Sequence, residues 1–529
     1  MLVLVPGEHT QPDYAPNEAM ISLARLMRDN EREVQLLTVH HQSDLRLFLN
    51  RNDLLGFPTW DVLDHALGIK ITEGRGLGLS DVPLPHQAEL IQTISGADVM
   101  VDDELVKQIF VNEMGLVTRV ETNWNGGLKQ VQDYDERGFI LVERMLDQQE
   151  KVLTQKWFDE YGHVVLEGNQ RQLLVQPIAK SRFERGNYPD LEAVLTEVMI
   201  RHVTKLKARK AVVHFIANPS QQNAAVLVDL QRLVPVNLLV TANQVQDPTM
   251  AALFMGAHQI FVAGNQEIIQ LRDRFGQSVS ERARIGYPYA TDLRLGNSAA
   301  SATQKIIWSV GQLESTELAW QFDTMDLSIH QFQGQLTVVN CSDQQTQQLA
   351  KLIISRIRQN YPIADWFETA ELTNVLFNSD QWPDLYHTAM AIQETLSETD
   401  EKLWQDQLGP LYAELAKFHL EPKLTKSRAQ SEMGQARLLI DLSESPVTYL
   451  QVAAISAGVP QLNRVKTPYL QPGQNGRLVQ TESQLKESIA MYISQLNVWN
   501  EALVANVQLI PTFTSDQILA FWEESLNGD

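Results

Sequence analysis

The stretch Ala436 to Val479, ARLLIDLSESPVTYLQVAAISAGVPQLNRVKTPYLQPGQNGRLV, leaves few folds open. Leu438 to Leu442 is a short, mostly apolar run, as a strand buried on both faces requires. Ser443-Glu444-Ser445-Pro446 is a loop, and Pro446 suits a first helical turn, where its missing N–H leaves no bond unmade. Val447 to Ala457 carries apolar residues at helical spacing, and Gly458 can end that helix in a left-handed conformation. Pro460 opens a second strand, and Gln474-Asn475-Gly476 reads as a tight turn before Leu478-Val479. Strand, helix, strand at this spacing is one unit of a doubly wound α/β sheet.

The same alternation opens the chain. Leu2 to Val5 and Val34 to Val39 are expected strands, with a helix between them that Asn17 can cap and that runs to about Arg28. From about Asp98 to Gln176 the period drops to two. Asn112-Glu113-Met114-Gly115, Asp135-Glu136-Arg137-Gly138 and Asp159-Glu160-Tyr161-Gly162 are three copies of one turn, their glycines 23 and 24 residues apart. Asn125-Gly126-Gly127 and Asp147-Gln148-Gln149 fall between them. The spacing predicts a meander of about six strands, populated by Tyr134, Phe139, Trp157, Phe158 and Tyr161.

After Tyr188 the α/β pattern resumes. The helix Leu191 to Leu206 is followed by strands at 211–217, 238–241 and 259–263. A second such domain starts at Lys305, with a strand at Leu336 to Asn340, a helix at Ser342 to Gln359 and terminal helices after Leu496. The expected architecture is therefore α/β, two Rossmann-like domains with an inserted antiparallel β-meander. The boundaries are 1–97 plus 177–297, 98–176, 298–510, and 511–529 as a helix returning to the first domain.

With 529 residues and a 44% hydrophobic fraction, the chain can build several packed cores. A net charge of −22 opposes nonspecific binding to nucleic acid and broad attraction to anionic lipid. Only a local patch, Arg201 to Lys210 (RHVTKLKARK), is left for peripheral membrane contact, and its plainer reading is a solvated helix end. The lone Cys341 rules out an internal disulfide and fits a reducing cytoplasm. The start, MLVLVPGEHT, does not read as a signal peptide, and no run of about 18 apolar residues occurs. The histidines, His40-His41 included, lack zinc spacing, so no metal and no cofactor is expected. There is neither a Gly-x-Ser-x-Gly elbow nor a Walker lysine loop.

The stretch around Gly458 resembles the sugar-nucleotide half of the two-Rossmann-domain (GT-B) glycosyltransferases. Those enzymes place one acid in the loop and another on the helix, to handle donor sugar and ribose. Counting back from Gly458-Val459-Pro460, these positions are Ser445 and Ala453, and neither is an acid. Glu444 lies one residue off register, about 100° away around a helix. Retaining members also hold the departing nucleotide diphosphate with a Gly-Arg-Leu segment and a later lysine. Here the segment is Gly311-Gln312-Leu313, with Gln312 at the arginine position and Glu317 near the lysine position. A charge-assisted hydrogen bond is worth roughly 1.5–3 kcal/mol, and losing one preorganised donor costs on the order of 100- to 1000-fold in rate. The resemblance thus implies no catalytic residues, with Gln312, Glu317, Ser445 and Ala453 as degenerate positions. Gly7, Glu8, Gly311, Gln312, Glu444, Ser445 and Thr448 remain as candidate cleft contacts.

Three further segments, LTVHHQSDLRLFLNRNDLLGFPTWDVLDHALGI, YDERGFI and AISAGVPQLN…NGRLV…LNVWNEALV, are together similar to the first of the accessory Sec system proteins of Gram-positive bacteria. That resemblance implies a noncatalytic subunit in the export of glycosylated serine-rich repeat adhesins. It implies as partners the second and third accessory proteins, the accessory SecA motor and the SecY channel, at the inner face of the cell membrane. Two other roles stay open: the substrate-recognising subunit of the adhesin O-glycosyltransferase, and an active retaining glycosyltransferase.

Overall fold

The computed structural model describes residues 1–7, 18–39, 42, 44–124, 127–210, 212–298, 301, 303–378, 381–422, 424 and 426–527. Glu8, Asn17, His40, His41, Asn125 and Gly126, singled out in the sequence, lie outside these residues. The chain divides into two compact units, one of residues 1–12 and 23–261, the other of residues 13–22 and 262–529.

The first sheet contains β1 (Leu2–Val5), β2 (Val34–Thr38) and β3 (Thr59–Asp61). The next ten strands form a separate sheet: β4 (Glu89–Thr93), β5 (Gly96–Val101), β6 (Glu104–Val111), β7 (Val117–Trp124), β8 (Leu128–Tyr134), β9 (Ile140–Leu146), β10 (Val152–Phe158), β11 (Val164–Asn169), β12 (Gln172–Val175) and β13 (Asn187–Tyr188). The chain then returns to the first sheet with β14 (His214–Ala217), β15 (Val236–Leu239), β16 (Ile260–Val262) and β17 (Ala283–Ile285). Its order is β17-β16-β15-β14-β1-β2-β3, the doubly wound order whose switch point falls between β1 and β14. The four residues of β1 are buried, as a central parallel strand must be.

The ten-stranded sheet is antiparallel throughout and runs in chain order from β4 to β13. It is larger than the six strands over 98–176 read from the sequence: β5 to β12 are already eight, and β4 and β13 lie beyond those bounds. β4 was missed because all five of its residues are exposed and its polar–apolar alternation is imperfect. β13 was missed because it is two residues long and follows the 3-10 turn Pro177–Arg182.

The three repeated turns join β6 to β7, β8 to β9 and β10 to β11. In a meander these are alternate connections, so they share one end of the sheet, and their spacing is the length of two strands. Asn112, Asp135 and Asp159 each accept the N–H two residues on, at 3.0, 2.8 and 3.0 Å. Gly115, Gly138 and Gly162 take φ of +74°, +95° and +80°. Asp147 repeats the pattern, accepting from Gln149 N at 2.9 Å and Lys151 N at 3.0 Å, but here Glu150 takes the left-handed place at φ +60°.

The glutamates inside the three turns hold the sheet to the rest of its unit. Glu113 pairs with Arg51 at 3.1 Å, and Glu136 accepts the Arg46 N–H at 2.7 Å, at the start of the helix Leu45–Arg51. Glu160 accepts the Lys70 N–H at 2.7 Å. Arg137 makes the deepest joint. Both its terminal nitrogens donate to Asp64 at 2.8 Å, and it also donates to Asp135 at 2.6 and 2.7 Å.

The second unit has its own parallel sheet: β18 (Gln304–Ser309), β19 (Gly334–Val339), β20 (Phe418–Glu421), β21 (Ala436–Asp441), β22 (Gln461–Asn463) and β23 (Gly476–Leu478). The order β20-β19-β18-β21-β22-β23 repeats the doubly wound pattern, with its switch point between β18 and β21. β22 and β23 are parallel, so the turn at Gln474-Asn475-Gly476 ends a crossover and is not a hairpin. The core gathers Trp308, Phe322, Ile353, Trp404, Leu438 and Ile440. The tail forms helices Leu496–Leu509 and Ser515–Asn527. Trp522 Nε1 donates to the Tyr287 carbonyl at 3.0 Å, and Thr291 N donates to the Phe513 carbonyl at 2.8 Å, all within the second unit.

Candidate functional site

In a doubly wound sheet, ligands bind beyond the strand carboxyl ends at the switch point. In the second unit that place is bounded by the loop after β18 (Val310 to Glu314) and the loop after β21 (Leu442 to Val447). Of the sequence candidates, Gly311, Gln312, Glu444, Ser445 and Thr448 lie on these loops or at the start of the helix Thr448–Ala457. Glu317 is in the first turn of the helix Ser315–Gln331, and Ala453 is buried along the Thr448–Ala457 helix. Gly7 belongs to the first unit, beyond the end of β1.

The two loops touch. A Cβ on Gly311 would lie 2.8 Å from the Ser443 Cβ. Gly311 adopts φ +61°, so both the conformation and the close approach ask for glycine. Its N–H donates to the Asn340 carbonyl at 2.9 Å, and the Val310 N–H donates to the Val339 carbonyl at 3.0 Å. Gln345 then donates to the Gly311 and Leu313 carbonyls at 3.0 and 2.9 Å. A phosphate cradle aims backbone N–H groups at its anion; at Val310 and Gly311 they are already used.

The β21 loop is organised by Asp441, which ends the strand fully buried. It accepts Ser443 Oγ at 2.6 Å and the N–H groups of Ser443 and Val447 at 3.2 and 3.0 Å. Burial raises its pKa, and these donors only partly offset that. Asn463, level with Asp441 on β22, donates to Gln451 Oε1 at 3.2 Å, and Gln451 donates in turn to the Pro446 carbonyl at 3.3 Å.

Charge is arranged against an anion as well. Glu317 is ion-paired with Arg464, which follows β22. Burial lowers the Arg464 pKa. Ser445 Oγ donates to Glu267, a buried acid near the start of the helix Asn265–Phe275. Burial raises the Glu267 pKa, and the Ser445 bond partly opposes the shift. Glu444 is exposed. Of these acids Glu317 is paired with Arg464, burial disfavours the charged form of Asp441 and Glu267, and Glu444 is the exposed one. At Ala453, which is 7% exposed, a carboxylate would be buried.

Sequence reasoning missed Asp441, Arg464, Glu267 and Gln345. Asp441 left a signal, an acid closing a run of apolar residues. The others are brought in by elements distant in the chain, and no local pattern marks them.

The profile of the accessory Sec system protein Asp, member one, matches residues 15–528. The chain belongs to that family. It is 22% identical over 517 residues to the accessory Sec system protein of the same name from Staphylococcus aureus, covering 96% of this chain and 93% of the relative. Among solved structures, the glycosylation-associated Gap123 complex of Streptococcus agalactiae superposes with a TM-score of 0.69 at 18% identity, over 100% of both chains. Accessory secretory proteins 1, 2 and 3 of Streptococcus pneumoniae give 0.66 at 17% identity, covering 99% and 98%. The pneumococcal O-GlcNAc transferase GtfA, in complex with UDP and GlcNAc, gives 0.63 at 12%, covering 99% and 98%. At these identities the structural likeness establishes the fold, which is that of the GT-B glycosyltransferases.

Two further expectations concern surfaces. Arg201 to Lys210 is the basic end of the helix Leu191–Arg209, where cations complement the helix dipole. Arg201 and Lys207 donate to the Arg182 and Leu233 carbonyls, and Lys210 pairs with Glu33. Among the described residues no helix is long and apolar enough to cross a membrane, and no group of three or more His, Cys, Asp or Glu could hold a metal ion.

Proposed function

We propose that this member of the family is a noncatalytic, glycosyltransferase-like subunit of the accessory Sec export complex. The observation that carries this reading is the switch point of the second unit. There the loops after β18 and β21 meet at Gly311 and Ser443, the Val310 and Gly311 N–H groups are already bonded, and Glu317 and Glu444 lie on or beside the loops. A diphosphate entering there would meet like charge without the usual donors. The chain would act with the second and third accessory proteins, a reading supported by its family and by the complexes in which its structural neighbours were solved. Further partners on this reading are the SecA motor, the SecY channel and a glycosylated serine-rich repeat adhesin. It would work in the cytoplasm, at the inner face of the membrane, on two Rossmann-like domains of which the first is interrupted by the β-meander. The meander would carry much of the partner interface.

Calorimetry of the pure chain with UDP-N-acetylglucosamine tests the first half. The expected result is no saturable heat at micromolar ligand and no sugar released. Repeated turnover of any UDP-sugar would restore the enzyme reading. Co-purification tests the second half: recovery with the other two accessory proteins is expected, whereas recovery with a transferase catalytic subunit alone would favour the substrate-recognising role.

A further inference from the structure

The meander ends on an edge that is unusually open. Among the described residues β4 pairs only with β5, from Glu89 opposite Met100 to Thr93 opposite Gly96, and no strand of the sheet lies on its other side. Natural sheets protect such edges with lysine, proline, bulges or a covering segment. Here the strand is Glu-Leu-Ile-Gln-Thr, without lysine or proline, and its register with β5 is free of bulges. Leu90 is 41% exposed, Ile91 51% and Ile94, in the turn that follows, fully so. Leu90 stands opposite Val99, which is buried in the cluster of Val82, Ile109, Val117 and Val120, so an added strand would continue an apolar layer that β4 leaves unfinished.

Charge selects the occupant. From Pro83 to Val106 the acids are Glu89, Asp98, Asp102, Asp103 and Glu104, and there is no lysine or arginine. The first cation beyond them, Lys107, is tied to the Pro83 carbonyl at 2.9 Å. A second copy would bring the same acids against themselves, on a chain already at −22. We propose that the outer edge of β4 is a strand-addition site for an extended segment of a partner protein in which apolar residues alternate with lysine or arginine. Main-chain hydrogen bonds supply the pairing, and alternate side chains supply the choice. The inference rests on the reading of the chain as a complex subunit and gives that reading a place on the molecule.

Two measurements on the full chain test it. A ten-residue peptide of alternating Val and Lys should bind and slow hydrogen exchange of amides within Glu89–Thr93, and an alternating Val–Glu peptide should bind at least tenfold more weakly. The double variant Glu89→Lys with Glu104→Lys, exposed positions whose exchange should not cost the fold, should lose affinity for the Val–Lys peptide by tenfold or more with an unchanged melting temperature. Equal affinity for both peptides, protection elsewhere, or protection from self-association without peptide would overturn the proposal. With the second and third accessory proteins added, a complex that forms while Glu89–Thr93 keeps exchanging freely would sink the edge and leave the subunit reading intact. Failure of any complex to form would sink that reading, and the peptide result would still decide the edge.

Discussion

At the scale of single residues, cost depends on what surrounds an atom more than on its type. Asp61 ends β3, partly buried, accepting from Thr38 Oγ1 and from Asp64 N at 2.7 Å. Burial, then the charge of Asp64, pushes its pKa up to about 7. The folded state therefore holds this proton more tightly than the unfolded chain does. The stability it contributes is complete below the ordinary carboxylate pKa near 4 and is lost as pH rises through about 7. Asp61→Asn keeps the acceptor oxygen and removes the charge. Its melting temperature relative to the parent chain should rise between pH 5 and pH 8, and a pH-independent difference would count against a charged, partly buried Asp61. The repeated glycines make a second comparison. Gly115→Ala meets only the left-handed backbone, at about 1 kcal/mol, because a Cβ there has nothing within 4 Å. Gly138→Ala also drives a Cβ to 2.1 Å from the Arg75 carbonyl, so denaturant titration should find it clearly the more damaging of the two.

At the scale of elements, Arg137 is the joint between the meander and the helix Val62–Leu67, which carries Asp64. Burial opposes its charge, yet hydrogen bonds and charge from Asp135 and Asp64 outweigh that and raise its pKa. Arg137→Ala would leave Asp135, only 2% exposed, without its cation. Breaking a buried pair in this way typically costs about 3–5 kcal/mol. Urea unfolding of the variant should show a loss of that size, together with faster exchange at the turn 135–138. A change under about 1 kcal/mol would mean that the joint is held elsewhere.

At the scale of the molecule, the loops after β18 and β21 are held by bonds of their own. Glu317 and Arg464 are a pair, Gln345 holds the loop after β18, and Asp441 holds the loop after β21. Placing basic residues there with Gln312→Arg and Glu317→Lys should therefore not by itself produce UDP binding. The second change should instead set two cations side by side where Arg464 now meets an acid. Stability should fall by about 0.5–1 kcal/mol or more, since an attraction becomes a repulsion. Micromolar UDP affinity in that variant would show that only the two side chains were missing.

The two parallel sheets and the antiparallel interruption of the first are legible in the amino-acid order alone, because they depend on local periodicity and on turn residues with special backbone needs. Gly115, Gly138, Gly162 and Gly458 were readable for that reason, each filling a left-handed position. β4 and β13 were not readable, since an edge strand has too little buried surface to impose a pattern. Why the turns contain glutamate, and why the loops after β18 and β21 touch, is legible only in the folded chain. Those answers lie in contacts between residues far apart in the chain, Glu136 with Arg46, Gly311 with Ser443, Glu317 with Arg464. Packing creates such contacts, and no single stretch of the chain encodes them.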